Sequence, residues 1–279
     1  MSYRKGIILG GQGNFPHQFL HSLTGIALDQ NDNLYAVGDS SVKAFNSDGG
    51  FLKSWSTSRP GWSVATDERE VFVGEEGQIE VFDVSGELQR TWRNAELLGR
   101  VTAIDFLEDQ IIVADALARC LRRFKSDGSF LNSIGHENRM RGFNIPNGSL
   151  DFAVDSEGII HACNPGKHRV ERYTREGELL GHIGRFDGRD PEGFPGCCNP
   201  TNVTVTEEGK VYVTEKAGPR AKVLDFEGNL ISVIATGAFD PNCKNMDVAV
   251  DSRGRVYVVD TIRLQVHVFA PEQVEKETS

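Results

Sequence analysis

One short phrase recurs five times along the chain: a small or acidic residue, glycine, any residue, then Phe or Leu. It stands at Asp48-Gly49-Gly50-Phe51, Ser85-Gly86-Glu87-Leu88, Asp127-Gly128-Ser129-Phe130, Glu176-Gly177-Glu178-Leu179 and Glu227-Gly228-Asn229-Leu230. Its glycines, at 49, 86, 128, 177 and 228, are 37, 42, 49 and 51 residues apart. Each copy follows an alternating run such as Ile79-Glu80-Val81-Phe82 and precedes another apolar stretch, which is how a tight β-hairpin reads. A second phrase, strand–acidic turn–strand, comes before each copy. It is clearest in Ala153-Val154-Asp155-Ser156-Glu157-Gly158-Ile159-Ile160 and Ala249-Val250-Asp251-Ser252-Arg253-Gly254. Weaker copies begin at Ala27-Leu28-Asp29 and Ala65-Thr66-Asp67, and residues 101–113 and 203–213 fill the two remaining places. No helical period competes. Units of this length with four short strands each are propeller blades, so the expected fold is all-β, a six-bladed β-propeller.

These phrases resemble the NHL-repeat family, whose blades read G-I-A-V-D-x-x-G-x-I-Y-V-A-D-x-x-N-x-R-I-x-V-F. Thr24-Gly25-Ile26-Ala27-Leu28-Asp29 and residues 246–269 carry the likeness best, and it extends over residues 5–270. The stretch Gly196-Cys197-Cys198-Asn199-Pro200-Thr201-Asn202 is similar to a bacterial-type subset of these propellers. The resemblance implies a fold and a place for a site, not a reaction, because one fold hosts many functions. Residues 1–279 are expected to form a single domain. The sixth unit stops early: after Phe269 come Ala270-Pro271 and a polar tail, 271–279, without a hairpin glycine or an outer strand. Gly6-Ile7-Ile8-Leu9 is an unclaimed apolar strand. A closing strand at about 5–9 should therefore pair with the last blade and complete the ring, removing an exposed edge.

Charged residues make up 25% and hydrophobic ones 39% of the 279, which suits a packed core rather than disorder. The net charge of −10 argues against general nucleic-acid binding, which needs a basic surface. No apolar run approaches the ~20 residues of a membrane helix. Ile7, Ile8 and Leu9 behind Arg4 and Lys5 are too short a run for a signal-peptide core, leaving a cytoplasmic or an exported, leader-cleaved protein as alternatives. Five cysteines, an odd number in a long chain, do not read as a disulfide scaffold.

Connections between blades and loops after second strands share one face of a propeller. That face receives the longest insertions, 135–147 and 184–199, and loops of this length are uncommon unless functional. Four cysteines map to it. Cys163 ends the second strand of blade 4, Cys197 and Cys198 precede blade 5, and Cys243 precedes blade 6. Cys120, in a third strand, reads as packing. Three readings of the four are open: ordinary buried thiols; a disulfide, either Cys198 with Cys243 or the adjacent pair; or a transition-metal or iron–sulfur centre held by Cys197, Cys198, Cys243 and Cys163, although no C-x-x-C spacing is present. Lys216 follows the second strand of blade 5 and should face the same thiols, lowering a thiol pKa, or else pair with Glu215. An acid at the position of Glu215, as of Asp115 and Asp260, is also the expected partner of loop N–H groups. Glu215, Lys216, Asn202 and Asn245 are the expected ligand-binding residues, and His21 should face the same mouth. His168 lies in the second-to-third-strand loop of blade 4 and His136 in a long connection. Arg139, Arg141, Arg185 and Arg189 make the two long loops basic, as a site for an anionic ligand or as ordinary solvated charge.

There is no G-x-S-x-G, H-E-x-x-H or phosphate loop. The expected function is a binding module for a protein or small-molecule ligand at the long-loop face, in a monomer. The alternatives are a thiol- or metal-dependent lyase or hydrolase, and a plain interaction scaffold with structural cysteines.

Overall fold

A computed structural model describes residues 2–136, 142–216 and 218–272. Six four-stranded antiparallel sheets follow one another along the chain. Blade 1 runs Gly25–Leu28, Leu34–Gly38, Ser41–Phe45 and Phe51–Ser56, from the axis outward, and blade 2 runs Ser63–Thr66, Glu70–Gly74, Gln78–Asp83 and Leu88–Arg93. Blades 3, 4 and 5 begin at Val101–Leu107, Phe152–Val154 and Asn202–Val205. Blade 6 contributes Val248–Val250, Val256–Asp260 and Gln265–Pro271. Its outer strand is Tyr3–Gly10, paired antiparallel from Tyr3 opposite Pro271 to Gly10 opposite Gln265, with a bulge between Lys5 and Ile8. The ring is thus closed by the chain start, as expected. The closing strand is longer than residues 5–9, and Pro271 belongs to the last strand rather than to the tail. Most of that tail, and the basic positions Arg139 and Arg141, lie outside the described residues.

The recurrent glycines all take positive φ, between 86° and 98°, which a side chain tolerates poorly. The residue three positions before the glycine completes the turn. The Asp83 carboxylate, for instance, accepts the N–H groups of Ser85 and Glu87 at 2.8 and 3.0 Å. The acidic turns on the same face work alike: Asp155 accepts from Glu157 and Ile159, and Asp251 from Arg253 and Arg255.

The core is divided. Six apolar clusters lie one at each junction between neighbouring blades, including the junction of blade 6 with blade 1. Second strands such as Leu34–Gly38 and Val256–Asp260 are buried along their whole length because they are covered on both faces. No blade can bury its apolar surface without its neighbours, so burial, at ~25 cal/mol per Å², binds the ring together. Among the described residues no helix is long and apolar enough to cross a membrane.

Candidate functional site

Every second strand ends in, or is followed directly by, a polar residue: Asp39, Glu75, Asp115, Asn164, Glu215 and Asp260. The Asp39 carboxylate accepts the N–H groups of His21 and Ser22 at 2.9 and 2.8 Å. Asp115 accepts from Gly99, Leu117 and Ala118, and Asp260 from Asp240, Ile262 and Arg263. Burial alone would raise Asp39 and Asp260, but these N–H donors hold both below the ordinary carboxylate range. Acids at this position are loop anchors.

Blade 5 departs from that pattern. Glu215 is fully buried and pairs with Arg220 at 3.0 Å and Lys222 at 3.1 Å. Lys222, itself fully buried, donates to the carbonyls of Pro191, Glu192 and Gly193 at 3.1, 3.0 and 2.8 Å. Its ammonium lies 4.1 Å from the centre of the Phe194 ring. Burial brings its pKa down to about 8, against the pull of Glu215. Glu215 and Lys222 together therefore pin the loop 184–199 to the blade. Glu215, expected among the ligand-binding residues, is thus engaged with two cations of its own blade.

The same loop carries two adjacent thiols, one of them at the surface. Cys197 is exposed and Cys198 is buried, and the Cys198 Sγ donates to the Cys197 Sγ at 3.2 Å. That hydrogen bond, and then the Lys216 ammonium, lower the Cys197 pKa, whereas burial raises that of Cys198. Lys216 thus stands beside the thiols as its position in the repeat predicts. Its Nζ donates to the Asn147 Oδ1 at 2.6 Å, and its backbone N–H to the Asn199 Oδ1 at 2.8 Å.

The other two cysteines of the expected cluster do not join them. Cys163 is packed in the core between blades 4 and 5, where burial and the Asp151 charge raise its thiol well above the ordinary value. Cys243 belongs to the core between blades 5 and 6. Its Sγ donates to the Asp260 Oδ1 at 3.1 Å, and burial first, then that bond, push it up to about 11. All five cysteines are free thiols. Among the described residues, no three His, Cys, Asp or Glu side chains gather closely enough to hold a metal ion. The structure places Cys163 and Cys243 in two different blade junctions, apart from the Cys197–Cys198 pair.

Beside the thiols opens the mouth of the ring, a cavity of about 360 Å³. His21, Trp62, Arg100, Asn147, Lys244 and Asn245 line it, drawn from the connections that enter blades 1, 2, 3, 4 and 6. The expected positions of His21 and Asn245 are met. Asn147 joins this cavity to Lys216. Asn202 lies deeper, buried, where its side chain hydrogen-bonds Asp247. Arg100 stacks on Trp62, its guanidinium 4.3 Å from the ring centre, and reaches Glu76 at 3.4 Å. That pairing was missed from the sequence, because Trp62 and Arg100 are 38 positions apart in two irregular connections. His168 instead packs on Phe186, and Arg185 pairs with Asp190.

Beneath the mouth, three aspartates surround an axial space of about 230 Å³. Each accepts the backbone N–H of an inner strand in the next blade at 2.7 Å: Asp105 from Val154, Asp151 from Val203, Asp247 from Ile26. Burial pushes Asp105 and Asp247 up to about 6, and burial with repulsion from Asp247 pushes Asp151 well up.

No protein-family model matches the chain. Many solved structures share its fold. A Bacteroides thetaiotaomicron protein of unknown function superposes with a TM-score of 0.67 at 16% identity, over 95% of this chain and 76% of its own. A streptogramin B lyase gives 0.61 at 9% identity, over 88% of this chain and 78% of its own. The WD40 β-propeller domain of Doa1 gives 0.60 at 12% identity, over 98% of both chains. At such identities the likeness establishes the fold alone: the chain is a six-bladed β-propeller.

Proposed function

We propose that this chain is an NHL-type propeller acting as a binding module, and that the mouth on its long-loop face receives an anionic group. The observation that carries this is the Arg100–Trp62 stack on one wall of the cavity, with Lys244 also lining it, in a chain whose net charge is −10. A guanidinium over an aromatic ring can still offer N–H donors to a carboxylate or phosphate, and the Arg100 contact to Glu76 is long, at 3.4 Å. His21, Asn147 and Asn245 supply further hydrogen-bonding groups around it. The streptogramin B lyase shares the fold; its activity is not transferred to this chain. The core positions of Cys163 and Cys243 support structural roles for both.

The test is a fluorescence titration of the protein with a panel of small carboxylates and phosphate esters, with Trp62→Phe as the control for the signal. At least one member should give saturable quenching that Trp62→Phe abolishes. Arg100→Gln should weaken it by roughly tenfold, the worth of a charge-assisted hydrogen bond. A response that survives Arg100→Gln and Lys244→Gln unchanged, or no response from the panel, rejects the anion-binding mouth.

A further inference from the structure

Adjacent residues of an extended strand point their side chains to opposite sides. Cys197 and Cys198 do not lie in a strand. Cys198 takes φ of 73°, a left-handed conformation that few residues other than glycine adopt, and the two thiols meet with their sulfurs 3.2 Å apart. One sulfur is exposed and the other buried, with the Lys216 ammonium acting on both. Lys216 is kept in place by Asn147, and the loop carrying the thiols is pinned by Lys222. The other three cysteines share none of this. Cys120, Cys163 and Cys243 are buried, and burial raises the pKa of each thiol.

We propose that Cys197 and Cys198 form a reversible dithiol–disulfide site that reacts with small-molecule disulfides, Cys197 attacking and Cys198 resolving. The Cys197 thiolate attacks one sulfur of the small disulfide. That S–S bond breaks, one half leaves as a thiolate and takes a proton from water, and a mixed disulfide forms on Cys197. The Cys198 thiol loses its proton to water and its sulfur attacks the Cys197 Sγ. The second small thiolate leaves and is protonated in turn. The two cysteines lose two electrons and two protons, and one disulfide becomes two thiols. The order of attack follows from exposure and from Lys216, which favours the thiolate at Cys197. Closing the ring requires the sulfurs to approach from 3.2 Å to about 2.05 Å. A ring of two adjacent cysteines is strained, and strained, exposed disulfides are readily reduced, so the site is poised for reversal rather than for stapling the fold.

The full chain is incubated over a series of oxidised-to-reduced glutathione ratios, quenched in acid, alkylated with N-ethylmaleimide and digested with trypsin. Residues 190–210 form one tryptic peptide carrying both cysteines. At oxidising ratios this peptide should lose two hydrogens and accept no alkyl group, and dithiothreitol should restore both thiols. Cys198→Ser should halt at a stable glutathione adduct on Cys197. Cys197→Ser should form an adduct roughly tenfold more slowly, because the remaining thiol is buried. Lys216→Met in the Cys198→Ser background should slow adduct formation several-fold. A wild-type peptide that carries two alkyl groups at every ratio, or one that stops at the glutathione adduct, overturns the proposal. Cys120, Cys163 and Cys243 report folding in the same digest, since they should alkylate only once the chain is unfolded.

Discussion

A lysine ammonium taken wholly out of water destabilises a fold unless its charge and its donors are all matched. Lys222 meets that condition with three carbonyls, one carboxylate and one aromatic face. Lys43 does the same on a smaller scale in blade 1, donating to the Pro16 carbonyl at 3.0 Å with its ammonium 5.1 Å from the Phe19 ring. The two lysines are repeat equivalents, opposite Ala36 and Val213 on their second strands. Each anchors a Pro-x-x-Phe segment, Pro16 to Phe19 and Pro191 to Phe194, from the connection before its blade. Lys222→Met should therefore cost about 3–5 kcal/mol, as for one partner removed from a buried ion pair. Adding Glu215→Gln should recover part of that loss, because the uncompensated carboxylate goes with it. Denaturant unfolding of the single and double variants reads both values. A single variant within 0.5 kcal/mol of the parent, the ordinary effect of a surface substitution, would show that the ammonium is not buried as described.

At the scale of the element, among the described residues, the closing strand Tyr3–Gly10 is the only outer strand supplied from a distant part of the chain. It brings Leu9 into the cluster between blades 6 and 1, together with Phe19, Leu264 and Val266. Without it, Gln265–Pro271 would present an unpaired edge, and that cluster would lose one wall. A chain lacking residues 1–10 should melt at lower temperature and over a broader range, with a calorimetric enthalpy that no longer equals the van't Hoff value. An unchanged transition would mean that the ring does not depend on this strand.

At the scale of the molecule, the three axial aspartates tie successive blades together while sitting where a carboxylate charge is least welcome. Their pKa values are raised in the fold, Asp105 and Asp247 to about 6 from 3.8. In the window between those values the native state binds more protons than the unfolded chain. The stability they contribute is thus fully present below about pH 4 and is lost as pH rises through about 6. Asp39 and Asp260 are shifted the other way, so their contribution is lost as pH falls, and they oppose the axial group in the total profile. Asp105→Asn isolates the effect, since its amide oxygen can still accept from Val154. Relative to the parent, this variant should gain about 2 kcal/mol between pH 4 and pH 7, from ~1.4 kcal/mol per pKa unit over the part of the shift that this window spans. Denaturant melts at the two pH values measure the difference, and a constant difference would reject a raised Asp105.

What the sequence determined by itself is what a short-range period can encode. The glycines at 49, 86, 128, 177 and 228 mark positive-φ turns, the acidic turns mark the first-to-second-strand connections on the same face, and a blade lacking its outer strand points to the unclaimed Gly6-Ile7-Ile8-Leu9. Backbone sterics and alternation act within a few residues, so they are legible without coordinates. The same parity correctly set His21, Lys216 and Asn245 on the long-loop face. It failed where contacts depend on how irregular connections fold across neighbouring blades. Four cysteines assigned to one face proved to be one exposed and one buried thiol in contact and two core thiols in different blade junctions, because parity gives the face but not the depth of a side chain. Glu215 pairs with Arg220 and Lys222 on the third strand of its own blade, as Asp115 pairs with Arg122 in blade 3. Only the tertiary structure could decide these matters, since alternation along a strand fixes the side a residue faces but not how deeply it is buried or which neighbour it meets.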